Sequence, residues 1–345
     1  MWWWRTSVRA GRDPRLRLSA VVVTLQVLGQ TVLGFKVSVA QILVTVAACA
    51  LVDAAILYRR TRTVVWPASA MLTGNSTALL LRTTGTQHGD WWSLNGIQFF
   101  LFAALLGLLS KHVIRAGNRH VFNPSNLGLV VAFLVLGAGR VFPQYLWWGP
   151  IWPWVFVAWM VIVAGGIWVL RPLRMWPMVL GFTIPFAALI GVQAATNHCF
   201  DAVWRTTPVC GANDWLGIAA SPELFVFVLL MMSDPRTTPA TQRGRALYGV
   251  ATAVVAALLI LPQPSEYGVK VALLASLTVV CTFVPLLSRR PSSRTLRRAA
   301  RLAPAPVAAV LITASVATGV VSLSGSRQTI AVDRHHTTTG GGSVQ

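Results

Sequence analysis

Acidic residues are scarce in this chain: nine Asp and Glu among 345 residues, against 29 Lys and Arg. Charged side chains of both signs reach only 11%, where a soluble chain carries about 25%. That deficit excludes a soluble globular protein, and no stretch remains long enough for a separate soluble domain. Cysteine is sparse too, at four. No Cys or His spacing suggests a metal site, and "DRHH" near the C-terminus reads as a solvated end. No nucleophile–base pair or phosphate loop argues for a stand-alone enzyme.

What fills the chain instead is apolar. Runs of about 16 to 22 apolar residues recur along nearly its whole length, the mark of an all-α polytopic membrane protein seated in a lipid bilayer. Helices are expected near 18–35, 37–58, 67–82, 94–110, 123–139, 150–170, 175–195, 216–233, 245–261, 267–287 and 303–324. The third and eighth are short and polar, which suits broken or partly spanning segments. The basic N-terminus "MWWWRTSVRAGRDPRLR" precedes an apolar run with no small-residue cleavage site, so the first span is expected to be retained.

A net charge of +20 would suit nucleic acid as a partner. Yet the cations, 26 of them Arg, fall in short clusters between apolar runs, a pattern set by membrane topology rather than by nucleic-acid binding. Threading the spans with the N-terminus inside places 22 Lys and Arg on the cytoplasmic side and seven on the other. Such a split implies eleven crossings, N-in and C-out, in the plasma membrane. Residues 1–17 then form a basic cytoplasmic segment.

The same threading brings Cys199 and Cys210 into one outward loop, "NHCFDAVWRTTPVCGAND". On the oxidising side they are disulfide candidates, with two free thiols as the alternative. Cys49 and Cys281 fall within apolar helices and read as small packing residues.

Two short matches recur in the same order. "RTTGTQ" from Arg82 resembles "RTTPATQ" from Arg236, and "PSNLGLVV" from Pro124 resembles "PSEYGVKV" from Pro264. They imply a duplicated five-helix unit, 18–139 and 150–287. Because five is odd, the second unit is inverted, as in transport folds whose sites lie near the repeat interface. A basic linker (288–302), an extra helix (303–324) and an outward, disordered tail (325–345) stand outside the repeat.

Polar residues cluster at particular helix ends. Asn123 suits an N-cap and Pro124 a first turn, with Ser125 and Asn126 beside them. Such an end attracts anions, although plain capping at the membrane boundary is the competing reading. Ser265 and Glu266 stand at the matching start in the second unit. Thr73, Asn75, Ser76 and Thr77 make the third helix polar, either as a cavity face or through hydroxyl bonds to neighbouring helices. Asp53 is placed to pair with another helix. Glu223 opens the eighth span and Asp234 closes it, and acids in such places usually face the bundle interior or water. Asp234 also precedes Pro235, so it reads equally as a turn residue.

"MLTGNSTALLLRTTG", "HVFNPSNLGLVVAF", "LFVFVLLMMSDPRTTPATQRGRALYG" and "PSEYGVKVALLASL" together resemble the RnfD/NqrB family over about 65–140 and 216–287. Those proteins are membrane subunits of ion-translocating, flavin-containing electron-transfer complexes. The whole chain looks most similar to a divergent UnbU-type branch found in enediyne antibiotic biosynthesis. The resemblance implies two inverted five-helix repeats, similar to urea transporters, and redox or biosynthetic partner subunits. It also implies an FMN, which the family esterifies to the Thr of a Ser/Thr-Gly-Ala-Thr motif. The nearest match here is "VQAATNH", with Thr196 in the Thr position. Gln193 and Ala194 depart from that pattern, so the resemblance implies a flavin without requiring the ester. The expected role is electron transport or transmembrane transport. A flavin-free transporter or channel exporting a small molecule is the alternative, with a membrane scaffold behind it.

Overall fold

A computed structural model describes residues 14–117, 119–145, 153–203 and 205–287. Most of the basic N-terminal segment (up to residue 13), the linker 288–302, the extra helix 303–324 and the tail 325–345 lie outside the described residues.

The described chain is mostly helical, in the order α1 (Pro14–Thr31), α2 (Val39–Thr61), α3 (Ala68–Leu80), α4 (Ile97–Val113), α5 (Pro124–Leu136), α6 (Pro153–Leu173), α7 (Trp176–Ala195), α8 (Ala212–Ala219), α9 (Pro222–Val226), α10 (Gln242–Ile260) and α11 (Glu266–Leu287). Among the described residues, six helical segments are long and apolar enough to cross a membrane. The exterior is apolar as well: Leu51, Trp92, Ile184, Leu247 and Leu258 are all exposed. A surface of that kind belongs in lipid rather than water. α11 is the central element, with 89% of its apolar window buried, against 28% for α2.

The expected eighth span is built in pieces. Ser221 accepts the Leu224 N–H at 3.2 Å and Pro222 stands in the first turn, so a new helix starts there and α8 stops short. α9 then widens into a π-helical segment, Phe227–Met231. The third span is short, and passes at Leu81 into strand β1 (Leu81–Thr83).

Three two-stranded ribbons link the helix ends. β1 pairs antiparallel with β4 (Val141–Pro143), setting Arg82 opposite Phe142. β2 (Arg115–Ala116) pairs with β3 (Arg119–His120) just before α5. β5 (Cys199–Phe200) pairs with β6 (Val209–Cys210), and the structure joins Cys199 to Cys210 as a disulfide.

Helix directions follow from the contacts. Near its start α5 reaches the middle of α11, where Asn126 Nδ2 donates to the Leu274 carbonyl (3.0 Å) and to Thr278 Oγ1 (2.9 Å). Near its end it meets the start of α11, where the Tyr267 hydroxyl donates to the Phe133 carbonyl at 2.6 Å. α5 and α11 are therefore antiparallel. So are α1 and α6, because Arg17 donates to the Trp168 carbonyl at 3.2 Å while Val21 lies against Gly165. α2 and α4 run parallel, tied by Gln41 to Asn95 near their starts and by Asp53 to Lys111 near their ends. α7 and α10 do the same, from Gly181 against Ala246 to Gln193 on the Ala257 carbonyl. Glycines permit the closest crossings. A side chain at Gly128 would strike the Ala103 carbonyl of α4, and one at Gly249 would strike the Met178 carbonyl of α7, the backbone-to-backbone packing that small residues allow between membrane helices.

Candidate functional site

The β2–β3 ribbon delivers His120 to the foot of α5. There Asn123 closes the helix start: its Oδ1 accepts the Asn126 N–H (3.3 Å) and the Ser125 hydroxyl (3.0 Å). Its Nδ2 reaches across to donate to the Met231 carbonyl at 2.9 Å, the last residue of the π segment. Three residues later Asp234 turns back, and its Oδ2 lies 2.9 Å from His120 Nε2. Its Oδ1 accepts the Arg236 N–H at 2.9 Å, and its carbonyl accepts the N–H groups of Thr237 and Thr238. Asp234 is therefore a turn residue and a cavity residue at once.

Around this junction lies a cavity of about 390 Å³, within the range of small-molecule sites, about 300–1,000 Å³. Its walls come from far apart in sequence. α1 gives Arg15, Leu18 and Val22; α3 gives Ser69, Leu72, Thr73 and Ser76; α6 gives Val169 and Leu173. The remainder comes from Leu79 and Leu80 at the end of α3, from His120 and the foot of α5, and from residues between Val226 and Arg236. Polar and aliphatic side chains both line it, and on α3 the hydroxyls of Ser69, Thr73 and Ser76 alternate with Leu72.

A second polar cluster forms where α11 begins. Lys270 Nζ stands 2.7 Å from Glu266 and 2.9 Å from Glu223, and 4.8 Å from the Tyr145 ring centre. The Arg82 guanidinium lies over the same ring at 3.7 Å. The other Glu266 oxygen accepts the Val203 N–H at 3.1 Å. The disulfide-closed ribbon is laid directly on this helix start: Asp201 N–H donates to the Pro264 carbonyl and the Glu266 N–H to the Asp201 carbonyl. The space left beside the ions is only about 40 Å³, room for a water but not for an organic ligand.

Of the residues expected to form one site, Thr73, Asn123, Ser125 and Asp234 line the large cavity. The others are distributed elsewhere. The Asn75 carbonyl accepts Gln26 Nε2 from α1, Asn126 clasps α11, and Glu266 belongs to the second cluster. Thr196 is exposed at the end of α7, its hydroxyl bonded to the carbonyls of Val192 (3.1 Å) and Gln193 (3.0 Å). It borders an open hollow of about 320 Å³ shared with His198 and Gln263. Asp53 does pair with another helix, at 3.1 Å from Lys111 and 2.7 Å from His112 of α4.

His120, Lys270 and the pair of His198 with Asp214 (3.1 Å) were not singled out by sequence. Lys270 carried a signal, the i,i+4 spacing from Glu266 that lets the two meet on one helix face. His120 opens the very motif that holds Asn123, but nothing local points it at Asp234. Bonding to the buried Asp214 carboxylate raises the pKa of His198 above its ordinary value, despite an opposing effect of burial.

No known family model matches the chain, and no curated protein matches it either.

Proposed function

We propose that this chain is a membrane transport protein of inverted-repeat architecture, resembling the RnfD/NqrB family. It passes a small molecule through the cavity between its two halves. The observation that carries this reading is the cavity itself, walled by α1, α3 and α5 from one half and by α6 and the α9–π stretch from the other. Placement at a repeat interface is where transporters of this kind hold their substrates. The antiparallel pairs α1/α6 and α5/α11, with the parallel pairs α2/α4 and α7/α10, support two five-helix units related by a two-fold axis in the membrane plane. The arginine distribution supports eleven crossings, N-in and C-out, in the plasma membrane.

The reading is tested by deleting the gene from its host and comparing intracellular small molecules. Loss of the protein is expected to trap at least one compound inside, and the wild-type chain to release it. A cavity-filling variant, Leu72→Trp, is expected not to. Identical small-molecule profiles with and without the protein overturn the transport reading.

A second reading, an electron-transfer subunit with redox partners, is favoured by the open hollow beside Thr196. It requires a yellow purified protein, and in-gel fluorescence after denaturation if Thr196 carries an FMN ester. A colourless preparation with no releasable flavin removes it.

A further inference from the structure

We infer that the stretch Tyr58 to Trp66, where the chain leaves α2, docks on anionic phospholipid headgroups. It does so whether or not the protein transports anything. Every residue of the stretch is exposed. Arg59 and Arg60 occupy the last turn of α2, Arg62 is its left-handed C-cap, and Val64, Val65 and Trp66 follow. The Arg62 guanidinium lies 5.8 Å from the centre of the Tyr58 ring. Cations and an apolar, aromatic run are thus set side by side at one helix end.

The acids of the chain do not supply the counter-charge. Asp53 is engaged by Lys111 and His112, Asp214 by His198, Asp234 by His120, and Glu223 and Glu266 by Lys270. Asp90 belongs to the other end of α2, where the Trp91 carbonyl accepts the Ala40 N–H, about 34 Å away along the helix. Asp201 lies on the start of α11. Of the nine acidic side chains only Asp13 and Asp333 fall outside the described residues, and two carboxylates cannot neutralise three guanidinium groups.

The bilayer beside the helix supplies what is missing. Among the six spans α2 has the least buried apolar window, 28%, and Leu43 and Leu51 are exposed along it. It therefore runs against lipid, and its end emerges among headgroups. Guanidinium groups pair with phosphate through two hydrogen bonds, and indole rings collect at the same level of a membrane. A soluble anion would satisfy the arginines and leave Val64 and Trp66, 87% and 74% exposed, in water. A phospholipid covers both, with its phosphate on the arginines and its glycerol and upper acyl chains on the apolar run. Under the N-in threading this is the cytoplasmic leaflet.

The test uses the full chain purified in a neutral maltoside detergent and read by native mass spectrometry. The probes are dilauroyl phosphatidylglycerol, phosphatidylcholine with the same acyl chains, and inorganic phosphate. Phosphatidylglycerol is expected to bind saturably, and phosphatidylcholine on the order of tenfold more weakly. Replacing Arg59, Arg60 and Arg62 together by Gln is expected to weaken phosphatidylglycerol on the order of a hundredfold, about fivefold for each arginine. Arg243→Gln, at an exposed arginine in the first turn of α10, is expected to leave it unchanged. If the triple variant does not fold, Arg60→Gln is compared with Arg60→Lys, which is expected to keep binding. Indifference to loss of the arginines, or equal losses in Arg60→Gln and Arg243→Gln, overturns the inference. Displacement of the lipid by inorganic phosphate at matched ionic strength also overturns it, and marks a soluble-anion site. Depth gives a second readout. The two free cysteines are buried, so a bimane on Val64→Cys reports on that position alone. In phosphatidylglycerol nanodiscs it is expected to be quenched by a nitroxide carried near the lipid headgroup. Quenching by aqueous iodide alone counts against docking.

Discussion

At Lys270 one ammonium serves two carboxylates, Glu223 and Glu266, all of them withdrawn from water. Replacing it as Lys270→Met leaves two acids facing each other without a cation, and is expected to cost about 3–5 kcal/mol. Glu266→Gln is expected to cost less, because its amide oxygen can still accept the Val203 N–H. Denaturant unfolding in detergent micelles ranks the two. His198 gives a pH signature. Its folded pKa is raised by Asp214, so its contribution is present in full below the ordinary His value and is lost as pH rises through the folded one. Melting temperatures of wild type and His198→Gln are therefore expected to converge between neutral and alkaline pH and to separate on the acid side. The rarity of acids made Asp53, Asp234 and Glu266 visible in the sequence. Their partners were not, since His120 and Asp234 meet across 114 residues and no local pattern records such an encounter.

Single elements show why helix positions were easier to read than helix interiors. Apolar runs and their polar ends place ten of the expected spans close to where helices stand. The break before α9 was signalled only by the shortness and polarity of the span, and Ser221 and Pro222 give its physical cause. The π segment was not legible, because "FVLLM" is apolar at every position and has no periodicity to disturb. Crossing geometry is a matter of glycine: Gly249→Val on α10 must push α7 away, and is expected to destabilise by about 1–3 kcal/mol. Thermal unfolding in micelles measures it, with Val250→Leu on the same helix as a control. The β5–β6 ribbon is held by its disulfide. The pair Cys199→Ser, Cys210→Ser is expected to cost about 2–3 kcal/mol and to raise hydrogen exchange in 196–211 first.

For the molecule as a whole, charge bias is the quantity that sets orientation. The N-in threading puts the loop after α2 inside and the loop between β1 and α4 outside. Single cysteines at Thr63 and His88, both exposed positions, report on it through a membrane-impermeant maleimide added to intact cells. Labelling is expected at His88→Cys and not at Thr63→Cys, and the opposite pattern inverts the whole topology. The two-unit reading we propose rests on short motifs that repeat in order. That Asn123 and Asp234 share one cavity while Glu266 stands apart was not legible in the sequence, because a repeat places like with like and leaves open which ends meet.

The π segment fixes the phase of everything after it. An i to i+5 turn holds one residue more than an α-turn would, and each residue turns an α-helix by about 100°. Deleting one residue from Phe227–Met231 would let the helix close to α geometry and swing Asp234 by about that angle, away from His120. The single surplus residue thus works as an angular setting. It aims one carboxylate at His120, and a chain shorter by one residue within Phe227–Leu229, none of which lines the cavity, keeps the lining side chains while losing that pairing.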